Sequence, residues 1–208
     1  MRSPIAPLLA VLIGVAACAS TPGARPEDMS AAGHDAAAAR EEARVAWAAD
    51  PGEAQRLRKM AADHRAASAT VRDAEASACA NLSEADRAMS PFEHYRDIAS
   101  VEPIYVGARY RHLVGATIRF RAVPGLTAQW LRRLIDCHSA RIAALGHDVP
   151  EMPDCPLVPK DVTVTVTTND AGFDVELKSW NDMAAHDVWR RAQDLVHRHA
   201  AAPTTSAR

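Results

Sequence analysis

The stretch VTVTVTTNDAGFDVELK, residues 162–178, decides the fold of this chain of 208 residues. Valine and threonine alternate over 162–167, and beyond the turn residues 169–172 apolar and charged residues alternate again over 173–178. A period of two on both sides of an Asn/Asp/Gly turn is typical of a β-hairpin that buries one face. We therefore expect two antiparallel strands here.

The residues that flank this hairpin predict two more strands and two helices. Strands are favoured over 101–106 and 116–123, where apolar residues alternate with arginines in the second run. A helix is expected between Thr127, which can cap its start, and Gly146, which can end it. Another helix is expected over 182–199.

The order of these elements is strand-strand-helix followed by strand-strand-helix, or ββαββα. Such an order predicts an α+β domain over 99–200, with a small antiparallel sheet and both helices on one face. Residues 201–208 are polar and are expected to form a disordered tail.

The preceding segment, 31–98, is rich in alanine, arginine and glutamate and is expected to be helical. The sequence Asp50-Pro51-Gly52-Glu53 combines an N-cap residue, a first-turn proline and an acidic residue three positions after the cap. This signature predicts a helical hairpin made of helices over 31–49 and 51–80. A similar signature predicts a short helix over 90–98.

The first eighteen residues have the layout of a bacterial export signal. Arg2 precedes an apolar run from Ile5 to Ala17, and Cys18 follows directly after two alanines. This layout resembles the lipobox of bacterial lipoproteins, in which the cysteine is lipidated and becomes the mature N-terminus. An ordinary signal peptide cut near the same position is the alternative.

The resemblance implies a signal peptide over 1–17, acylation of Cys18 and a flexible tether over 18–30. It also implies a membrane partner, reached through the N-terminal lipid. Ala19 stands where an aspartate would indicate retention in the inner membrane, so the resemblance implies an outer-membrane protein that faces the periplasm.

Composition and motifs limit the classes of function. The formal net charge is −2, which gives no sign of nucleic-acid binding. The sequence has no Gly-x-Ser-x-Gly elbow, Walker loop or His-Glu-x-x-His motif. We therefore expect a non-catalytic binding or structural module without a cofactor, and a thiol-dependent enzyme is the less favoured alternative.

Three cysteines remain once Cys18 is acylated, in a compartment that favours disulfides. We expect Cys137 to pair with Cys155, while a pairing of Cys79 with either of them stays open. A copper or zinc site is the second functional hypothesis, that of a periplasmic metal-binding or metal-stress protein. Its candidate ligands are Cys137, His138, His147, Met152 and Cys155.

Four arginines at alternating positions are expected to lie on the outer face of the sheet, and they form a candidate anion-binding site. They are Arg109, Arg111, Arg119 and Arg121. Such a row could bind an anionic polysaccharide or an acidic envelope protein. The alternative is that the row pairs across strands with Asp174 and Glu176 of the second hairpin.

Overall fold

The computed structural model describes residues 29–93, 95–147 and 149–201. Its N-terminal part is a helical hairpin of α1 (Ala31–Val45) and α2 (Pro51–Ala78). The predicted start signal of the second helix is confirmed, because the Asp50 carboxylate accepts a hydrogen bond of 2.9 Å from the backbone N–H of Glu53. The Glu53 side chain returns a bond of 3.2 Å to the N–H of Ala49.

Small residues allow α1 and α2 to pack closely. Ala38 of α1 and Ala61 of α2 are almost fully buried, and Leu57 is the largest buried apolar side chain that α2 contributes. The buried hydroxyl of Ser68 donates a hydrogen bond of 3.0 Å to the carbonyl of Ala31. These contacts explain how a helix as rich in alanine as α1 is held in place.

The connection to the sheet differs from the sequence-based prediction. A short helix, α3 (Glu84–Ala88), begins at a capping box formed by Ser83 and Asp86. The helix expected over 90–98 is wrong, because only a 3-10 turn forms at Tyr95–Asp97 and the first strand begins at Ile98. The first strand pairs with a second strand of the sheet, and the hydrogen bonds between the two strands outweigh the local helix-start signal.

The described residues contain one antiparallel sheet of four strands, β1 (Ile98–Val106), β2 (His112–Arg121), β3 (Thr163–Asn169) and β4 (Gly172–Lys178). Their order across the sheet is β1-β2-β4-β3. The hairpin predicted over 162–178 is confirmed, with Asn169 opposite Gly172. The predicted α+β class is likewise confirmed, with a helical region preceding the sheet.

Two glycines let β2 and β4 approach each other at the ends of their pairing. Gly115 has φ +149°, and a Cβ atom on it would lie 1.9 Å from the carbonyl oxygen of Leu177. Gly172 has φ +148°, and a Cβ atom there would lie 2.1 Å from the carbonyl oxygen of Phe120. No residue with a side chain fits either position without moving a strand.

The main core lies between the sheet and the helices α4 (Ala128–Ala144) and α5 (Asp182–Ala201). Both helices bury apolar residues against the same sheet face, as the sequence predicts. The largest fully buried side chains of this core include Ile118, Leu131, Ile135, Ile142, Val175, Leu177 and Val188. A second, smaller cluster joins the end of α2 to α4 through Cys79, Leu82, Leu134 and Cys137.

Candidate functional site

An apolar pocket opens where the segment after α3 crosses the end of β2 and the start of α4. Its volume is about 310 Å³. We call it the Trp130 pocket. Its apolar lining consists of Met89, Pro91, Phe120, Val123, Pro124, Gly125, Leu126, Trp130, Leu131 and Leu134. A pocket of this size and lining is suited to one apolar group of a small molecule or peptide.

The sequence Val123-Pro124-Gly125-Leu126 builds one wall of the Trp130 pocket. The N–H of Leu126 donates a hydrogen bond of 3.1 Å to the carbonyl of Val123, and Gly125 has φ +85°. Proline followed by a glycine with positive φ is the pattern of a type II turn. Thr127 then caps α4, because its hydroxyl accepts a hydrogen bond of 3.1 Å from the N–H of Trp130. The indole is thereby placed at the first turn of α4.

Among the described residues, two with hydroxyl or carboxylate side chains line the Trp130 pocket, Ser90 and Asp97. The Ser90 hydroxyl already accepts a hydrogen bond of 3.3 Å from the N–H of Phe92. The Asp97 carboxylate is an anionic group that this lining offers to a ligand. The pocket can hold the apolar part of a ligand by van der Waals contact, and the Asp97 carboxylate can accept a hydrogen bond at one end of the ligand. Such an arrangement is suited to binding.

The expected disulfide between Cys137 and Cys155 is wrong, because Cys137 does form a disulfide but its partner is not Cys155. Cys137 is bonded to Cys79, with 4.7 Å between the Cα atoms, and Cys155 is a free, buried cysteine. The physical reason is the side of α4 on which Cys137 lies. Cys137 lies on the side of this helix that faces the end of α2, whereas Cys155 packs in the core under the sheet.

The five residues of the predicted metal site are not brought together. Cys137 is committed to the disulfide, and the Nδ1 of His147 donates a hydrogen bond of 2.9 Å to the carbonyl of Val158. Burial raises the pKa of the Cys155 thiol, which disfavours the thiolate that a metal needs. Met152 lies near Cys155, since both line a cleft beside α5. Among the described residues, no group of three His, Cys, Asp or Glu side chains is placed to hold a metal ion.

His138 is buried in the interior, with 1% of its surface exposed. Neither ring nitrogen makes a hydrogen bond of standard geometry. Burial lowers the pKa of this imidazole, and the backbone of Met89 offsets only part of the effect. The neutral form of the ring is therefore favoured in the folded protein.

The four arginines of the predicted anion-binding row are divided between a loop and a strand. Arg109 and Arg111 precede β2, and the guanidinium of Arg111 stacks 4.4 Å above the ring of Tyr105. The expectation of a single row on the sheet is therefore wrong, because β2 begins only at His112.

The two arginines that do lie on β2 are occupied. Arg119 forms ion pairs with Glu102 at 2.6 Å and with Asp174 at 3.3 Å, and Arg121 donates a hydrogen bond of 2.8 Å to the carbonyl of Arg96. Glu176 pairs with Lys178 instead of an arginine. Cross-strand pairing, the alternative reading of the row, accounts for Arg119.

The predicted lipidation site, Cys18, lies outside the described residues, as do the signal peptide over 1–17 and most of the tether over 18–30. Within the described part of the chain, no helix is long and apolar enough to cross a membrane.

The Trp130 pocket is not predicted by the sequence. One signal was present, since proline and glycine at positions 124 and 125 mark the turn that forms its wall. The opposite wall, Met89 to Pro91, could not be matched to it, because the two segments meet only when the helical part packs on α4. No protein-family model, curated protein or solved structure matches this chain, so its function has to be inferred from its own residues.

Proposed function

We propose that this protein is a lipid-anchored protein of the cell envelope, and that its α+β domain is a non-catalytic binding module. The observation that carries the proposal is the Trp130 pocket, an open apolar site of about 310 Å³ with one carboxylate in its lining. Apolar pockets with a few converging polar groups are the usual sites at which small ligands bind.

The lining also suggests the chemistry of the ligand. The Trp130 indole and the side chains of Leu126 and Leu131 offer contact to an aliphatic or aromatic group. Asp97 favours a hydrogen-bond donor or a cation at one end of that group. We expect an amphipathic ligand with an apolar body and a donor or cationic end.

Two features support the envelope part of the proposal. Cys18 stands where lipoprotein acylation requires a cysteine, and the tether from it leads to Ser30, which caps α1. The disulfide between Cys79 and Cys137 is typical of a protein exported to an oxidising compartment. The location we propose is the outer membrane, with the folded domain facing the periplasm.

The binding proposal is tested with a fluorescent apolar probe, such as N-phenyl-1-naphthylamine, added to the purified mature protein. Leu126→Gln places an amide in the half-buried wall of the pocket and is expected to weaken probe binding about tenfold or more. The control is Trp180→Ala, which removes an aromatic ring that is 79% exposed and outside the pocket.

Thermal unfolding checks that both variants are folded. Equal binding by the wild type, Leu126→Gln and Trp180→Ala would show that the probe does not use the Trp130 pocket, and the binding proposal would then be abandoned. The anchor is tested separately by fatty-acid labelling in a Gram-negative host. Label is expected on the wild type and not on Cys18→Ala, and a mature N-terminus at any residue other than Cys18 contradicts the anchor.

A further inference from the structure

A second cleft, of about 260 Å³, lies where the end of α2 meets α3 and α4. Three arginines line it, Arg72 from α2, Arg87 from α3 and Arg141 from α4, against a single acidic residue, Glu75. We call it the arginine cleft. Its lining carries a net positive charge, in a protein whose formal charge is slightly negative.

Two of the three guanidinium groups are held by hydrogen bonds that leave most of their donors free. Arg72 donates to the hydroxyl of Ser68 at 2.7 Å and to the carboxylate of Asp35 at 2.5 Å. The Nε of Arg87 donates to the carbonyl of Leu82 at 3.1 Å. A guanidinium has five N–H donors, so each of these arginines can still bind an oxyanion through its remaining donors.

Arg141 is the least occupied of the three. Its side chain makes no hydrogen bond or ion pair with another residue in the described part of the chain, and the carboxylate of Glu75 makes none either. Three arginines thus face two carboxylates, Glu75 in the lining and Asp35 paired with Arg72, so the cleft keeps a net positive charge. An arginine of this kind is available to an anion from solution.

The disulfide holds the walls of the cleft together. Cys79 and Cys137 both line it, and Arg141 follows Cys137 by one helical turn, while Arg72 precedes Cys79 by two. The covalent link between α2 and α4 thus fixes the spacing of two arginines that lie far apart in the sequence. Fixed donors lose less entropy when they bind a ligand.

From this arrangement we infer that the arginine cleft binds a phosphate or phosphomonoester group. Three guanidinium groups around one small cavity match a dianion with several acceptor oxygens, and arginine binds such oxyanions in a bidentate manner. The inference does not depend on the Trp130 pocket, which has different lining residues.

The test is isothermal titration of the purified mature protein with inorganic phosphate, with glucosamine 1-phosphate and with sodium chloride as the control salt. Saturable binding of the two phosphates is expected, and none of chloride. Tighter binding of the sugar phosphate would identify a phosphorylated sugar as the ligand class, and equal binding would identify the free anion.

The matched variants distinguish the cleft from general surface charge. Arg87→Gln with Arg141→Gln is expected to weaken phosphate binding at least about tenfold, because two charge-assisted contacts are lost. The matched pair is Arg141→Gln and Arg133→Gln, each of which removes one positive charge from α4. Arg133 does not line the cleft, so Arg133→Gln is expected to leave binding unchanged, whereas Arg141→Gln alone is expected to weaken it. No saturable binding of either phosphate by the folded wild type, or an equal loss in the control, would overturn the inference.

Discussion

Breaking the disulfide between Cys79 and Cys137 is expected to remove about 4 kcal/mol from the free energy of unfolding. The two cysteines are 58 residues apart. In the chain-entropy model, closing a loop of that length lowers the entropy of the unfolded chain by about 14 cal/mol/K, which is about 4 kcal/mol at 298 K. In the folded protein the bond joins the helical hairpin to α4. In the unfolded chain its loss lets these two segments move independently, which raises the entropy of the unfolded state.

The perturbation is Cys79→Ala together with Cys137→Ala, compared with wild type in the presence of a reductant. The reduced wild type keeps both sulfur atoms and loses only the cross-link. Urea unfolding followed by circular dichroism measures the free energy, and Cys155→Ala is the control for the loss of one buried sulfur, at about 1 kcal/mol.

Alkylation in urea without reductant provides the second measurement. One cysteine of the lipidated mature protein, Cys155, is expected to react, and three are expected to react after reduction. Peptide mapping that links Cys155 to either of the other two would refute the pairing. A reductant that exposes both further thiols without lowering the unfolding free energy would refute the loop argument.

Two more substitutions test other parts of the structure. Gly115→Ala is expected to cost about 3 kcal/mol or more, because its Cβ would lie 1.9 Å from the Leu177 carbonyl oxygen, whereas Gly125→Ala meets no atom within 4 Å and is expected to cost about 1 kcal/mol; equal melting temperatures would contradict this. His138→Leu is expected to reduce acid sensitivity. Burial lowers the pKa of His138 in the folded protein, so the unfolded chain binds the proton first and stability falls as the pH drops below about 6.5, by at most about 1.4 kcal/mol per pH unit for one proton. Urea unfolding between pH 7.5 and 5 measures the slope, and an unchanged slope in the variant would contradict it.

Local sequence predicts those parts of the fold in which residues close in the chain supply one another's hydrogen bonds and contacts. The hairpin over 162–178 is an example, because its alternation and its Asn169–Gly172 turn lie within one short stretch. The start of α2 is another, since Asp50 and Glu53 complete its cap within four residues. Tertiary contacts stabilise these elements further, but the local sequence already determines their type and position.

The errors arose where distant segments compete for the same partner. Cys137 could reach Cys155 along the chain by a loop of 18 residues, yet its side of α4 faces Cys79. The face that a helix presents to a neighbour depends on how the two pack, and spacing between cysteines does not record it. The helix prediction over 90–98 is wrong for a similar reason, because Ile98 at the end of this segment begins β1 and pairs with Phe120 of β2.

A single side of α4 connects these features. Trp130 and Leu134 line the apolar pocket, Cys137 forms the disulfide, and Arg141 lines the arginine cleft. These four positions are spaced by four, three and four residues, which places them along one stripe of a helix with 3.6 residues per turn. The neighbouring stripe of α4, which carries Leu131, Ile135 and Ile142 about 100° further round the helix, packs in the core under the sheet. The arginine cleft therefore depends on how α2 is seated against α4, and the Trp130 pocket depends on how the segment after α3 lies against the start of α4. The disulfide lies between the two sites along this stripe.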